Sequence, residues 1–180
     1  MNRIDAGSVK AKINPHPTQR YELTFTIHDA PGPFDSVDAD IQYEIGNTGC
    51  VPSDPITGGK SKTPGIIRPI LLTRASDMVY RGEVAFDLPM DEDYFRLGVC
   101  HWIVQGAGIG LKVHGFSFGA GLVASDIEKQ STHSLFFPKS DYLKLDHSVY
   151  GDDERYLTSY EKSHLDNFFS VSIVAERISP

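Results

Sequence analysis

Polar and apolar positions alternate with period two along much of the chain. Tyr21, Leu23, Phe25 and Ile27 are interleaved with Glu22, Thr24, Thr26 and His28, which predicts a strand with one buried face. Ala30-Pro31-Gly32-Pro33 ends it, because two prolines and a glycine do not continue a ladder. Val37, Ala39, Ile41, Tyr43 and Ile45 then face one way, and Asp38, Asp40, Gln42 and Glu44 the other. Residues 51–65, with Pro52, Pro55, Gly58, Gly59, Pro64 and Gly65, read as a loop. Ile66 to Arg74 reads as a strand that Pro69 places at an edge or bulge. After a turn at Ser76-Asp77, Val79 to Leu88 is its expected antiparallel partner. Tyr94 to Gln105 is rich enough in apolar residues to predict a central strand, and Phe168 to Glu176 closes the chain with another alternation.

Between these lies a run in which Gly106, Gly108, Gly110, Gly115, Gly119 and Gly121 are spaced by Ile109, Leu111, Val113, Phe116 and Phe118. Glycine within strands marks bulges and close backbone approach, so this stretch predicts a hairpin or bulged strand pair. Ser125 to Gln130 reads as a short helical turn, Ser134 to Phe137 as strand, and Pro138 to His164 as irregular or partly helical. Turn signals recur about every ten residues, without long helical periods. The fold expected is mostly β: a single antiparallel β-sandwich-like domain over residues 19–180 with a glycine-rich hairpin and little helix, preceded by a flexible lead-in over residues 1–18.

The chain has 180 residues, 40% of them hydrophobic and 23% charged, a composition of neither a disordered nor a helical membrane protein. The net charge of −7 argues against nucleic acid as a partner. The charge is unevenly placed. Asp29 to Asp54 holds six acidic residues and no lysine or arginine, and Asp141 to Asp166 holds seven acidic against three basic. Three acidic sets stand out: Asp35, Asp38, Asp40 and Glu44; Asp91, Glu92 and Asp93; and Asp152, Asp153 and Glu154. An acidic face assembled from separate segments suits docking to a cationic protein, and ordinary solvated turns are the plainer alternative. Tyr94 and Phe95, beside the second set, are candidate aromatic anchors.

Motifs that suggest catalysis are weak. Gly115-Phe116-Ser117-Phe118-Gly119 matches Gly-x-Ser-x-Gly, and Asp141 or Asp146 followed by His147 or His164 satisfies the chain order of a hydrolase triad. That chemistry needs a strained turn between a strand and a helix, and Ala120-Gly121-Leu122-Val123 is a poor helix start. Gly106-Ala107-Gly108-Ile109-Gly110 has the wrong spacing for a dinucleotide loop. The seven histidines are scattered, and the acidic runs lack a calcium-loop frame, so no metal or other cofactor is expected. Cys50 and Cys100 form no Cys-x-x-Cys pair. They suit either one disulfide or two buried thiols, and their places after one predicted strand and within another favour the former.

Several segments together resemble a family of small exported bacterial proteins. These are Asp29-Ala-Pro-Gly-Pro-Phe-Asp-Ser-Val-Asp38, Tyr43-Glu44 leading to Cys50-Val51-Pro52, Asp91-Glu-Asp-Tyr-Phe95 with Gly98-Val-Cys-His-Trp102, and Phe136-Phe-Pro-Lys139. The resemblance spans residues 20–175 and is to the periplasmic immunity proteins, often lipoproteins, that neutralise type VI secreted phospholipase effectors. It implies export, a Cys50–Cys100 disulfide, and a protein partner whose active site is occluded rather than any catalysis of its own. Met1 to Pro17 shows neither an apolar signal core nor an anchoring cysteine, so either a trimmed mature form or a cytoplasmic protein is expected. The alternatives in function are a small ligand-binding or structural protein of the envelope, and a hydrolase built on Ser117.

Overall fold

The structure is a computed structural model and describes residues 9–53, 58–59, 63–144 and 146–179. The start of the expected lead-in and the middle of the 51–65 loop lie outside these residues. Among the described residues eleven strands form two sheets. In chain order they are β1 (Arg20–His28), β2 (Ser36–Ile45), β3 (Gly65–Pro69), β4 (Leu72–Ser76), β5 (Val79–Ala85), β6 (Trp102–Val113), β7 (Phe116–Val123), β8 (Thr132–Pro138), β9 (Val149–Tyr150), β10 (Asp152–Asp153) and β11 (Phe168–Arg177). Three short helices interrupt them: α1 (Ala124–Glu128), α2 (Lys139–Lys144) and α3 (Ser159–Lys162). The first sheet has the order β10-β8-β11-β1-β5-β4, and the second β3-β2-β6-β7-β9. All pairings are antiparallel except β7 with β9. This is the mostly β, sandwich-like architecture that the alternation predicts.

The two edges of the sandwich are closed by the chain itself. At one edge Pro69 ends β3 and, three residues on, Leu72 begins β4 in the other sheet. The crossing turns at Ile70, which is buried with its N–H donated to the Ala39 carbonyl, while the next residue, Leu71, is 90% exposed. At the other edge Tyr150 ends β9 and Asp152 begins β10. Gly151 makes that crossing against Phe137 and Leu135, where a Cβ would lie 2.7 Å from the Phe137 ring. The stretch read as one strand, Ile66 to Arg74, is therefore two edge strands of different sheets. Short edge strands that change sheets leave little open ladder for unwanted pairing.

The core lies between the sheets and follows the alternation. Leu23, Phe25 and Ile27 of β1, Ala39, Ile41, Tyr43 and Ile45 of β2, and Phe169, Val171, Ile173 and Ala175 of β11 are all buried. Tyr43 is buried in this core, and its hydroxyl donates to the Ala85 carbonyl at 2.7 Å. Burial is the main reason that its pKa is pushed upward. Phe118, Phe137, Phe169, Phe34 and Tyr142 form an aromatic cluster, with the Phe137 and Phe169 rings stacked 4.9 Å apart.

The stretch 94–105 differs from expectation. Strand begins only at Trp102, and Val99, within the stretch expected to form a central strand, is 48% exposed. Arg96 (φ 60°) and Gly98 (φ 109°) adopt left-handed backbone that a ladder does not accommodate. Asp93 instead accepts the N–H groups of Leu97 and Gly98, shaping a loop. Cys100 sits at the end of this loop, bridged to Glu92, and is bonded to Cys50 with a Cα–Cα distance of 5.4 Å. Residues 9–18 of the expected lead-in pack alongside. Ala11 is buried, Asn14 donates to the Leu88 carbonyl, and Met90 donates to the Lys12 carbonyl.

Candidate functional site

The outward face of the second sheet is unusual in what it lacks. β2 presents Ser36, Asp38, Asp40, Gln42 and Glu44 outward, because the alternate residues fill the core. The partners of Asp38, Asp40 and Gln42 on β6 are Gly110, Gly108 and Gly106. On β7, Gly119 and Gly121 stand opposite Gly110 and Gly108. Five glycines therefore pave a strip two strands wide.

A bulge makes this arrangement possible. Gln42 pairs with Gly106 and Tyr43 with Val104, leaving Gln105 as the extra residue. Before the bulge the even-numbered Trp102 and Val104 face the core, and after it the odd-numbered Ala107, Ile109, Leu111 and Val113 do. The glycines then all fall on the outer face. A Cβ at Gly106 would come within 2.5 Å of the Leu122 carbonyl oxygen, and one at Gly108 within 2.7 Å of that of Ala120. No side chain fits there without moving a backbone.

Tyr150 of β9 covers the far side of the strip. A Cβ at Gly119 would meet its ring at 2.9 Å, and one at Gly121 its hydroxyl at 2.7 Å. The ring nonetheless remains 67% exposed. Partial covering of the hydroxyl and the charge of Asp40 raise the Tyr150 pKa. Asp38, Asp40 and Gln42 thus form one wall of a trough of about 480 Å³, with Gly106, Gly108 and Gly110 along its floor and Tyr150 lying over Gly119 and Gly121 on the other side.

The three acidic sets differ in what their carboxylates already do. The Asp91 set holds its own loop together. Asp91 accepts the Trp102 N–H at 2.9 Å and pairs with His101 at 2.7 Å, Glu92 pairs with Lys12, and Asp93 binds the loop N–H groups. In the third set Asp153 is committed, while Asp152 and Glu154 are exposed. In the first set Asp35 accepts the His114 N–H at the turn of the β6–β7 hairpin, and Asp38 pairs with Lys112. Asp40 has only the Gln42 amide at 3.3 Å among the described residues. Glu44 lies further along the same strand. Of the three sets, only Asp38 and Asp40 of the first line the trough.

Asp153 supplies a pH test. Its carboxylate is held far below its ordinary value of 3.8, first by the Arg155 side chain, which donates to both oxygens at 2.8 and 3.0 Å. The Arg155 N–H and His133 add to this, against an opposing effect of burial. A carboxylate whose pKa falls on folding contributes stability that is complete above its unfolded pKa and lost as pH drops through the folded one. Asp153→Asn is therefore expected to lower the Tm near neutral pH, with the gap to the parent protein closing as pH falls below 3.8. Thermal unfolding between pH 2 and 7 measures this, and a gap that stays constant to pH 2 would contradict it.

Of the aromatic candidates, Phe95 is buried at 8% exposure and belongs to the core. Tyr94 is half-buried, its ring edge-on to Trp102 and its hydroxyl bonded to the Met90 carbonyl. A second cavity, about 750 Å³, opens here beside Asp87, Asp91, Met90, Trp102 and Ile103. Its acids serve the fold: Asp87 accepts the N–H groups of Thr18 and Gln19 and the Thr18 hydroxyl. Burial works to raise the Asp87 pKa, but these hydrogen bonds outweigh it and the net shift is downward.

Ser117 stands within β7, facing outward opposite Lys112, with its N–H donated to Ser148. It is not on a turn into a helix, the setting a nucleophile elbow requires. Asp146 and His147 pair with each other. Among the described residues no three metal-ligating side chains converge.

The trough residues outside the acidic sets include Tyr150, Gln105, Gln42, Ser117 and the glycines. The glycine run was visible as a hairpin signal, but Tyr150 lies on a two-residue strand too short to show a period. Comparisons with protein-family models, with curated proteins and with solved structures give no match.

Proposed function

We propose that this chain is an immunity protein that binds and occludes a toxic secreted phospholipase, acting in the periplasm. The observation that carries the reading is the outer face of the second sheet. It carries an acid-walled trough, and among the described residues Asp40 and Glu44 are in no ion pair, whereas the neighbouring Asp38 is paired with Lys112. An occluding inhibitor needs such a scaffold and complementary charge, not catalytic residues. Phospholipases bind an anionic head group, so carboxylates on this face suit the same cationic mouth. The buried Cys50–Cys100 bond fits an oxidising compartment. Among the described residues no helix is long and apolar enough to cross a membrane.

The alternative, a small ligand-binding protein of the envelope, draws on the same trough, whose volume is in the range of small-molecule sites. Mixing the purified chain with a secreted phospholipase encoded beside its gene distinguishes the two. Stoichiometric loss of lipase activity with a stable 1:1 complex is expected. No inhibition and no complex would overturn the proposal, as would ester turnover by the chain itself that Ser117→Ala abolishes.

A further inference from the structure

Resting on the binding-protein reading, we infer that the glycine-paved trough receives an arginine side chain projected by the protein partner. With no side chain on Gly106 or Gly108, a long aliphatic stem can lie close to the sheet backbone beside Tyr150, which itself covers Gly119 and Gly121. At one side of the strip stands Asp40, whose single hydrogen-bond partner among the described residues is the neutral Gln42 amide. Asp38, two residues along, has its charge met by Lys112. No lysine or arginine is among the residues lining the trough, so its field is net negative. A neutral occupant would strip water from Asp40 with no charge to offset the loss. A cation offsets it.

The opposite wall selects which cation. Tyr150 presents an exposed ring above the floor, and its hydroxyl lies close enough to Asp40 to feel that charge. A planar guanidinium between a tyrosine ring and a carboxylate satisfies both, through cation–π contact and a charge-assisted hydrogen bond. A lysine ammonium is a compact, strongly hydrated charge that gains less from the flat floor and the ring.

The test is a titration of the full chain with N-acetyl-argininamide, read by amide NMR. Matched titrations use the lysine analogue and the neutral, near-isosteric citrulline analogue. Saturable shifts are expected at Gly106, Gly108, Gly110 and Tyr150, weaker for lysine and absent for citrulline. Asp40→Asn is expected to weaken arginine binding about tenfold or more. Tyr150→Ala should weaken it and Tyr150→Phe retain it, since the ring is the contact. Gly110→Val blocks the floor with a Cβ that meets only the movable ends of Asp38 and Ser117, so the parent Tm should be kept while binding is lost. Equal shifts with citrulline, no shifts at the floor, or binding indifferent to Asp40→Asn would overturn the inference. The outcomes separate from those of the functional reading. Lipase inhibition unaffected by Asp40→Asn and Tyr150→Ala sinks the arginine site alone, and arginine binding without any inhibited lipase sinks the immunity role alone.

Discussion

Replacing Cys50 and Cys100 together by alanine is expected to destabilise the fold by about 4 kcal/mol and to lower the Tm by about 10 °C. The bond closes a loop across 50 positions of sequence, and the chain-entropy account gives that magnitude for such a loop. Local structure adds a reason. Cys50 ends a short turn after β2, and Cys100 ends the irregular loop before β6, so the bond joins two segments outside the ladder. Both sulfurs are buried, so the parent protein should resist reductant until it opens. Thermal unfolding with and without reductant, with the double variant as reference, measures the effect. A double variant that melts with the parent would refute the estimate.

Phe118→Ala is expected to cost about 3–5 kcal/mol, again about 10 °C in Tm. Phe118 is fully buried in the aromatic cluster, its ring centroid 5.3 Å from that of Phe169 and 5.7 Å from that of Phe137. It also pins β7, whose neighbouring residues Ser117 and Gly119 face the trough. Removing the ring leaves a cavity bounded by both sheets, which close packing does not let collapse fully. Ser117→Ala, one residue away on the opposite face, should leave stability nearly unchanged. Denaturant unfolding of the two variants side by side is the check. Equal stabilities would mean that the cluster does not hold the sheets together.

The alternation along β1, β2 and β11 needed no tertiary information, because a strand with one buried face must place apolar residues at every second position. The same rule put Asp38, Asp40 and Glu44 on an outward face, and the N–H that proline lacks marked Pro69 as an edge or bulge. The glycine spacing foretold the β6–β7 hairpin. The start of β6 was not legible, because left-handed backbone at Arg96 and Gly98 makes 94–101 a loop although its composition is that of a strand. The break at Pro69–Leu72 was read as a bulge or edge, but a switch between sheets depends on which strands flank it in space.

The candidate site divides in the same way. Which acids are spent inside the fold depended on partners far along the chain. Asp35 meets His114 and Asp38 meets Lys112, each more than 70 positions away, and Asp91 meets the Trp102 N–H across a loop. The trough needed sheet order too. Asp40, Gly108, Gly121 and Tyr150 come from four strands spanning 110 positions, and only the β2-β6-β7-β9 arrangement sets them on one face. The chain alone determined its long alternating strands and its acidic character, and left Cys50 and Cys100 as one disulfide or two buried thiols. The convergence of these parts was left to the tertiary structure, because strand periodicity records which way a side chain points but not which strand lies beside it.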